Sequence, residues 1–202
     1  MLRWNEEIDM SLKFRLITVT AVFGVACGLA AAQTSGQPER FVANAVSLSP
    51  QYGTGQQTVE INVNRWSPPS DRETLIAALM KSPDELLKQL QKLRPVGTIR
   101  TPDSLGYDLH YAQQTPLPEG GRSIVIATDR PIGFWEATNR PRSIDYPFTV
   151  IQMNLDRNGM GSGTLSYATR ITTKNKIIEL EDFATQPIML NNVHAEPKKT
   201  KS

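Results

Sequence analysis

The sequence predicts a mainly β domain of the α+β kind: an antiparallel curved sheet or partly closed barrel of about eight strands, with one packed helical hairpin. Three observations carry this expectation. Residues 58–66 alternate, with Val59, Ile61 and Val63 on one face and Glu60, Asn62 and Asn64 on the other, as in a strand with one dry side. Asp156-Arg157-Asn158-Gly159 separates two strand-like runs, and Asn-Gly supplies the positive backbone dihedrals of a tight hairpin. Helical periodicity is confined to residues 66–95, so helices are the minority element.

With 202 residues, the chain can hold one substantial core plus terminal extras. Residues 1–32 are expected to be a secretory signal peptide: Lys13 and Arg15 precede an apolar run over 16–29, and Ala30-Ala31-Ala32 offers a cleavage site before Gln33. The acidic Glu6, Glu7 and Asp9 fit a signal poorly, which makes Met10 a candidate initiator. The apolar run falls short of the roughly 20 residues of a comfortable span, so no stable membrane span is expected after cleavage. Cys27 is the only cysteine, and Val25-Ala26-Cys27 makes a weaker lipoprotein site because Gly24 replaces a larger aliphatic residue. Cleavage after Ala32 would leave a cysteine-free chain, without disulfide or thiolate, and a secreted or periplasmic protein of bacterial type.

Residues 33–40 are polar, include Gly36 and Pro38, and read as a flexible lead-in. The single β-rich domain is expected over 41–195. Its first strand covers 41–48 and its second 58–66. A helical pair follows over 70–94. Ser70-Asp71-Arg72-Glu73 has the form of a capping box, and Ser82-Pro83-Asp84-Glu85 repeats the start signal with Pro83 at the first helical position. Leu75, Ile76, Leu79 and Met80, then Leu86, Leu87, Leu90 and Leu93, form the apolar stripes until Arg94-Pro95 ends them. A short strand at 96–100 comes next. Residues 107–113 alternate, Tyr107, Leu109 and Tyr111 opposing Asp108 and His110. The run Ile124-Val125-Ile126-Ala127 suits a strand covered on both faces. Strands at 148–155 and 163–172 flank the Asp156 turn, and 176–183 with 187–193 reads as a last hairpin. Residues 196–202 form a basic, solvated tail.

Twenty-two basic and 20 acidic residues give a net charge of +2, and removing residues 1–32 leaves it unchanged. That balance has no electrostatic footprint for nucleic acid. The helical pair resembles a helix-turn-helix only superficially, since Pro83 caps its junction and its exposed side mixes Asp84, Glu85, Lys88 and Lys92. No cofactor is expected. Asn154, Asp156 and Asn158 with Gly159 imitate a calcium loop, but Leu165 stands where its bidentate glutamate belongs, and a hairpin explains the same residues. With two histidines and no H-E-x-x-H, no metal site is expected.

For catalysis the candidates are Asp108, His110, Glu136 and Asp145, because a carboxylate beside an imidazole can orient a general base. No G-x-S-x-G nucleophile accompanies them. Asp108 and His110 read better as a solvated strand face, and His194 as part of a frayed end. The segment that stands out is 129–147, an irregular stretch with three prolines. Loops of that length inside a compact domain are commonly functional. It gathers Arg130, Phe134, Trp135, Arg140, Arg142 and Tyr146 as candidate ligand-binding residues. Aromatic faces and guanidinium forks suit a small anionic molecule, a glycan or a partner protein. The competing reading packs those aromatics over an open end of the sheet and pairs the arginines with Asp129 and Asp145.

Asn64-Arg65-Trp66, Thr128-Asp129-Arg130-Pro131-Ile132, Phe134-Trp135-Glu136-Ala137 and Arg142-Ser143-Ile144-Asp145-Tyr146-Pro147-Phe148 resemble phrases of a group of uncharacterised exported bacterial proteins. The resemblance implies export and carries no activity, ligand or catalytic residue. The leading expectation is a non-enzymatic exported binding or interaction protein that uses the 129–147 loop. The alternative is a secreted hydrolase or lyase acting on envelope or extracellular polymer.

Overall fold

The computed structural model describes residues 36–48, 54–130, 147–174, 177–182 and 186–197. In chain order the elements are β1 (Glu39–Ser47), β2 (Gly55–Val63), α1 (Pro69–Leu79), α2 (Pro83–Lys92), β3 (Gly97–Arg100), β4 (Tyr107–Leu109), β5 (Tyr111–Pro116), β6 (Arg122–Thr128), β7 (Phe148–Leu155), β8 (Met160–Lys174), β9 (Ile177–Asp182) and β10 (Ile188–Pro197). All pairings are antiparallel, in the order β4-β3-β2-β1-β10-β8-β7-β6-β5, with β9 on β8. The two ends of that order, β4 and β5, are separated only by His110. One run therefore pairs first with β3 and then with β6, and the sheet nearly closes into a barrel.

Alternation fills the interior. Phe41, Val59, Ile61, Val63, Ile99, Leu109, Ile124, Ile126, Ile151, Met153, Leu155, Leu165 and Leu190 meet in one cluster, each at most 2 % exposed. The alternation breaks at the bend. Leu109 points inward, Tyr111 packs against the helices, and Ala112 returns to the core. Residues 107–113 are thus not one regular strand with Leu109 and Tyr111 on a shared face. An extra residue at His110 re-aims the chain, as a bulge does at a barrel corner. Closure also depends on close backbone approach. A Cβ on Gly161 would lie 1.9 Å from the Asn154 carbonyl oxygen, and one on Gly97 the same distance from that of Asn62.

The helices pack on an outer face. Leu75, Leu79, Leu86 and Leu90 meet Tyr111, Phe148, Val150 and Ile171, with Val125 and Ala127 beneath them. This explains why residues 124–127 read as apolar throughout: Ile124 and Ile126 serve the barrel, Val125 and Ala127 the helices. At Ser82 the expected cap forms, its hydroxyl accepting from the Glu85 amide at 3.1 Å. At Ser70 it does not. Helix α1 starts one residue earlier, at Pro69, and no side chain caps it. Proline fits the first turn without wasting an amide, so Pro69 sets the start and Ser70 falls inside, where its carbonyl accepts from the Thr74 hydroxyl. The stripe on α1 is also narrower than its sequence suggests: Ile76 is half-buried and Met80 is 55 % exposed.

Two further expectations are corrected. β9 and β10 do not pair with each other; both lie along β8, β9 on Thr169–Lys174 and β10 on its first part. Fifteen residues make β8 long enough for two partners end to end, while β10 is also needed beside β1 to continue the barrel. The ends are more ordered than their polarity implies. Glu39 and Arg40, placed in the lead-in, belong to β1, and β10 carries His194 to a regular ladder position opposite Val42. Cross-strand ion pairs replace apolar burial there: Arg40 bonds Glu60 at 2.6 Å and Glu196 at 3.3 Å. No helix of the described residues is long and apolar enough to cross a membrane.

Candidate functional site

Strands β6 and β7 post the two ends of the 129–147 segment on the barrel wall. Thr149, second in β7, donates its hydroxyl to the Arg130 carbonyl at 2.9 Å, which ties the ends together. Asp129 is nearly buried, its side chain 11 % exposed, and Arg130 projects to solvent at 58 %. Arg130 Nε lies 3.5 Å from Asp129 Oδ1, at the limit of a useful contact. Phe134, Trp135, Glu136, Arg140, Arg142, Asp145 and Tyr146 lie outside the described residues.

Asp108 and His110 are not a solvated pair. Asp108 is exposed, and what it contributes is its carbonyl, which accepts from the Thr128 hydroxyl at 2.7 Å. His110 is buried, at 8 % exposure. The bulge that turns Tyr111 to the helices also carries His110 under the end of α2. There its Nδ1 lies 2.9 Å from the Leu93 carbonyl oxygen and its Nε2 3.5 Å from Asp129 Oδ1. A carbonyl only accepts, so Nδ1 carries a proton. The carboxylate that meets His110 is therefore Asp129, nineteen positions along the chain from it and supplied by the end of β6. Its two-residue neighbour in sequence is the wrong partner. Only the pairing of β5 with β6 could have exposed this, through the bond from the His110 amide to the Ala127 carbonyl.

A second cluster that sequence reading missed sits where β1 and β6 begin. Arg122 faces inward, and its two terminal nitrogens meet the two Glu39 oxygens at 2.8 and 2.9 Å. The Gln114 amide oxygen accepts from the same guanidinium at 2.6 Å, and the Phe41 ring lies 5.8 Å beneath. Trp66 stands edge-on to Phe41 and donates its indole N–H to the Gln37 carbonyl. Gly36 passes so close that a Cβ would lie 2.5 Å from Gln114 Nε2 and Trp66 Nε1. The chain's own lead-in thus crosses this end of the barrel, and bidentate geometry uses up the guanidinium fork.

Elsewhere, charge is arranged in pairs. Glu60 lies between Arg40 and Arg100. Burial pushes its carboxyl up, but the hydrogen bonds and charges of Arg100 and Arg40 outweigh that and hold it below the usual carboxylate range. His194 lies 3.2 Å from Glu196 on the surface. Asp156 caps its own hairpin, Oδ1 accepting the amides of Asn158 and Met160 at 2.8 and 2.9 Å. Of Asn158 and Gly159, only Gly159 has positive φ, so the turn is a one-glycine version of the expected one. An open cleft of about 530 Å³ between this turn and Leu117–Gly120 shares no residue with the His110 cluster. Among the described residues no group of His, Cys, Asp and Glu could hold a metal ion. Comparison with protein-family models, with curated proteins and with solved structures finds no match to the chain.

Proposed function

We propose that this chain is an exported, non-enzymatic binding or interaction protein, and that its ligand surface is the loop over residues 129–147. The observation that supports the reading is the construction of the loop's root. Thr149 holds the Arg130 carbonyl, and Asp129 lies beside the buried His110, on a wall backed by two apolar cores, which is the rigid base a binding loop needs. Arg130 is the first loop residue to offer its charge to solvent. Trp135, Arg140 and Arg142 would add an aromatic face and further guanidinium forks. That combination suits a glycan, a small organic anion or an acidic protein surface.

The alternative, a secreted hydrolase or lyase acting on envelope or extracellular polymer, would draw on Asp108, His110, Glu136 or Asp145. His110 is a poor general base as it stands, since the ring is buried and one of its nitrogens is held by the Leu93 carbonyl. Asp108 is exposed, whereas His110 is buried.

A panel of oligosaccharides and organic anions, screened by calorimetry against the protein and against Trp135→Ala, tests the proposal. Binding to the parent should be lost in the variant while the melting temperature stays nearly constant. If Trp135 instead plugs the sheet, the variant should lose about 3–5 kcal/mol of stability, as for a truncated core aromatic, and the loop reading falls.

A further inference from the structure

We propose that the C-terminal end of α2 and the β2–α1 connection form a basic docking patch for a linear acidic polysaccharide, built from Arg65, Lys92 and Arg94. Cations elsewhere on the fold are matched to carboxylates. Arg40 and Arg100 share Glu60, Arg122 meets Glu39, and Lys88 on α2 meets Glu85. Arg65, Lys92 and Arg94 are exposed, and none of them forms an ion pair with a carboxylate among the described residues.

The fold brings these three together. The Arg65 amide donates to the Val96 carbonyl at 3.2 Å, and its Nη2 donates to the Arg94 carbonyl at 2.6 Å. Lys92 is the last residue of α2, two positions before Arg94. Like charges held side by side repel one another, and a bound anion relieves that repulsion. The helix dipole favours Lys92 where it stands, but Arg65 is supplied by a different segment. Its bond to the Arg94 carbonyl uses one of five N–H donors and fixes the fork in advance, so less freedom is lost on binding. Two carboxylates border the patch. Asp108 precedes Leu109, whose carbonyl accepts from the Val96 amide, and Asp129 lies near His110, which meets the Leu93 carbonyl. Neither pairs with any of the three cations.

The chemistry of the patch selects its partner. Guanidinium forks match carboxylate oxygens two at a time. Each exposed charge contact is worth little alone, so a small anion holds poorly, whereas a polymer with a carboxylate in every repeat engages all three cations at once. Nucleic acid fits less well, because single strands are held on open aromatic faces. The aromatic beside Arg65 is Trp66, which stands edge-on to Phe41 with its indole N–H spent on the Gln37 carbonyl.

Calorimetry with polygalacturonate as the probe and neutral dextran as the control tests the patch. The protein should bind polygalacturonate and not dextran, and more weakly as sodium chloride rises from about 50 to about 200 mM. The double variant Lys92→Gln with Arg94→Gln breaks no hydrogen bond among the described residues, since Arg65 uses only the Arg94 carbonyl. It should bind about tenfold more weakly, the worth of two exposed charge contacts. Arg157→Gln, which removes an exposed cation at the β7–β8 turn, should stay within about twofold of the parent. Absence of binding, unchanged binding in the double variant, or an equal loss in Arg157→Gln overturns the patch. So does tighter binding of a single-stranded oligonucleotide than of polygalacturonate. All of these proteins keep Trp135, so this idea and the loop reading can fail separately.

Discussion

Tyr111 shows how much one residue's position depends on the bend beside it. Had the alternation of residues 107–113 continued, its ring would share the barrel interior with Leu109. Displaced by the His110 bulge, it packs against Leu75, Leu79 and Leu86 and donates its hydroxyl to Gln113. Burial pushes that hydroxyl up to about 12. In the unfolded chain a tyrosine ionises near 10. The folded state therefore holds the proton longer, and its advantage is complete below about pH 10 and lost as pH rises through about 12. Denaturant melts across that window should show an alkaline decline of about 2–3 kcal/mol that Tyr111→Phe removes. A decline of the same size in the variant would assign it to other groups. At this scale the sequence was informative about residue type and misleading about partner. Asp108 stands beside His110 in the chain, yet Asp129 meets it in space, because a two-residue spacing says nothing about which strand lies alongside.

At the scale of elements, the two helix starts separate local signal from local competition. Ser82 is followed by a proline at the first helical position and caps the helix; Ser70 is preceded by one and cannot. Ser82→Ala should cost about 1 kcal/mol, the usual loss of an N-cap, whereas Ser70→Ala should stay within about 0.5 kcal/mol of the parent. Thermal melts of the pair would check this, and equal losses would mean that Ser70 does more than sit in the first turn. Leu90 makes the complementary point about packing. It is 2 % exposed among Tyr111, Phe148 and the other helix. Leu90→Ala should therefore lose about 2–5 kcal/mol; a change under about 0.5 kcal/mol would show that the helices contribute little to the fold. The stripes themselves were legible in the sequence because four-residue spacing reports a buried face directly. Met80 was misread because it is the residue that closes α1, one past its last helical position, and it is 55 % exposed.

For the whole molecule, the class was legible and the wiring was not. Alternating runs such as Val59-Glu60-Ile61-Asn62-Val63 announce strands, and Asp156 to Gly159 announces a hairpin, because both are decided within a few residues. That β10 lies between β1 and β8 is decided across more than a hundred residues by barrel closure. Nothing local in 188–197 distinguishes that place from a hairpin with β9. The ion pairs of Glu39 with Arg122 and of Arg40 with Glu196 likewise join distant positions, so polar residues that looked like a loose lead-in hold a strand. The seven candidate loop residues from Phe134 to Tyr146 lie outside the described residues and stay where the sequence put them, as the proposal for binding.

The pairing of Glu39 with Pro197 sets the start of the first strand beside the end of the last, so the β domain between them is a ring in all but covalent connection. Partners in an antiparallel ladder have their Cα atoms about 5 Å apart, so a linker of a few residues would join them. The linear order could then be re-cut elsewhere. Opening the turn at Pro102 and Asp103, both exposed, severs no ladder pair, and such a circular permutant should fold with a cooperative melt. Opening the chain between His110 and Tyr111 should not give a cooperative melt, because there a single covalent run holds the first and last strands of the order together. If both permutants melted alike, closure would not depend on that run, and the barrel would be better described as a curled sheet whose edges merely meet.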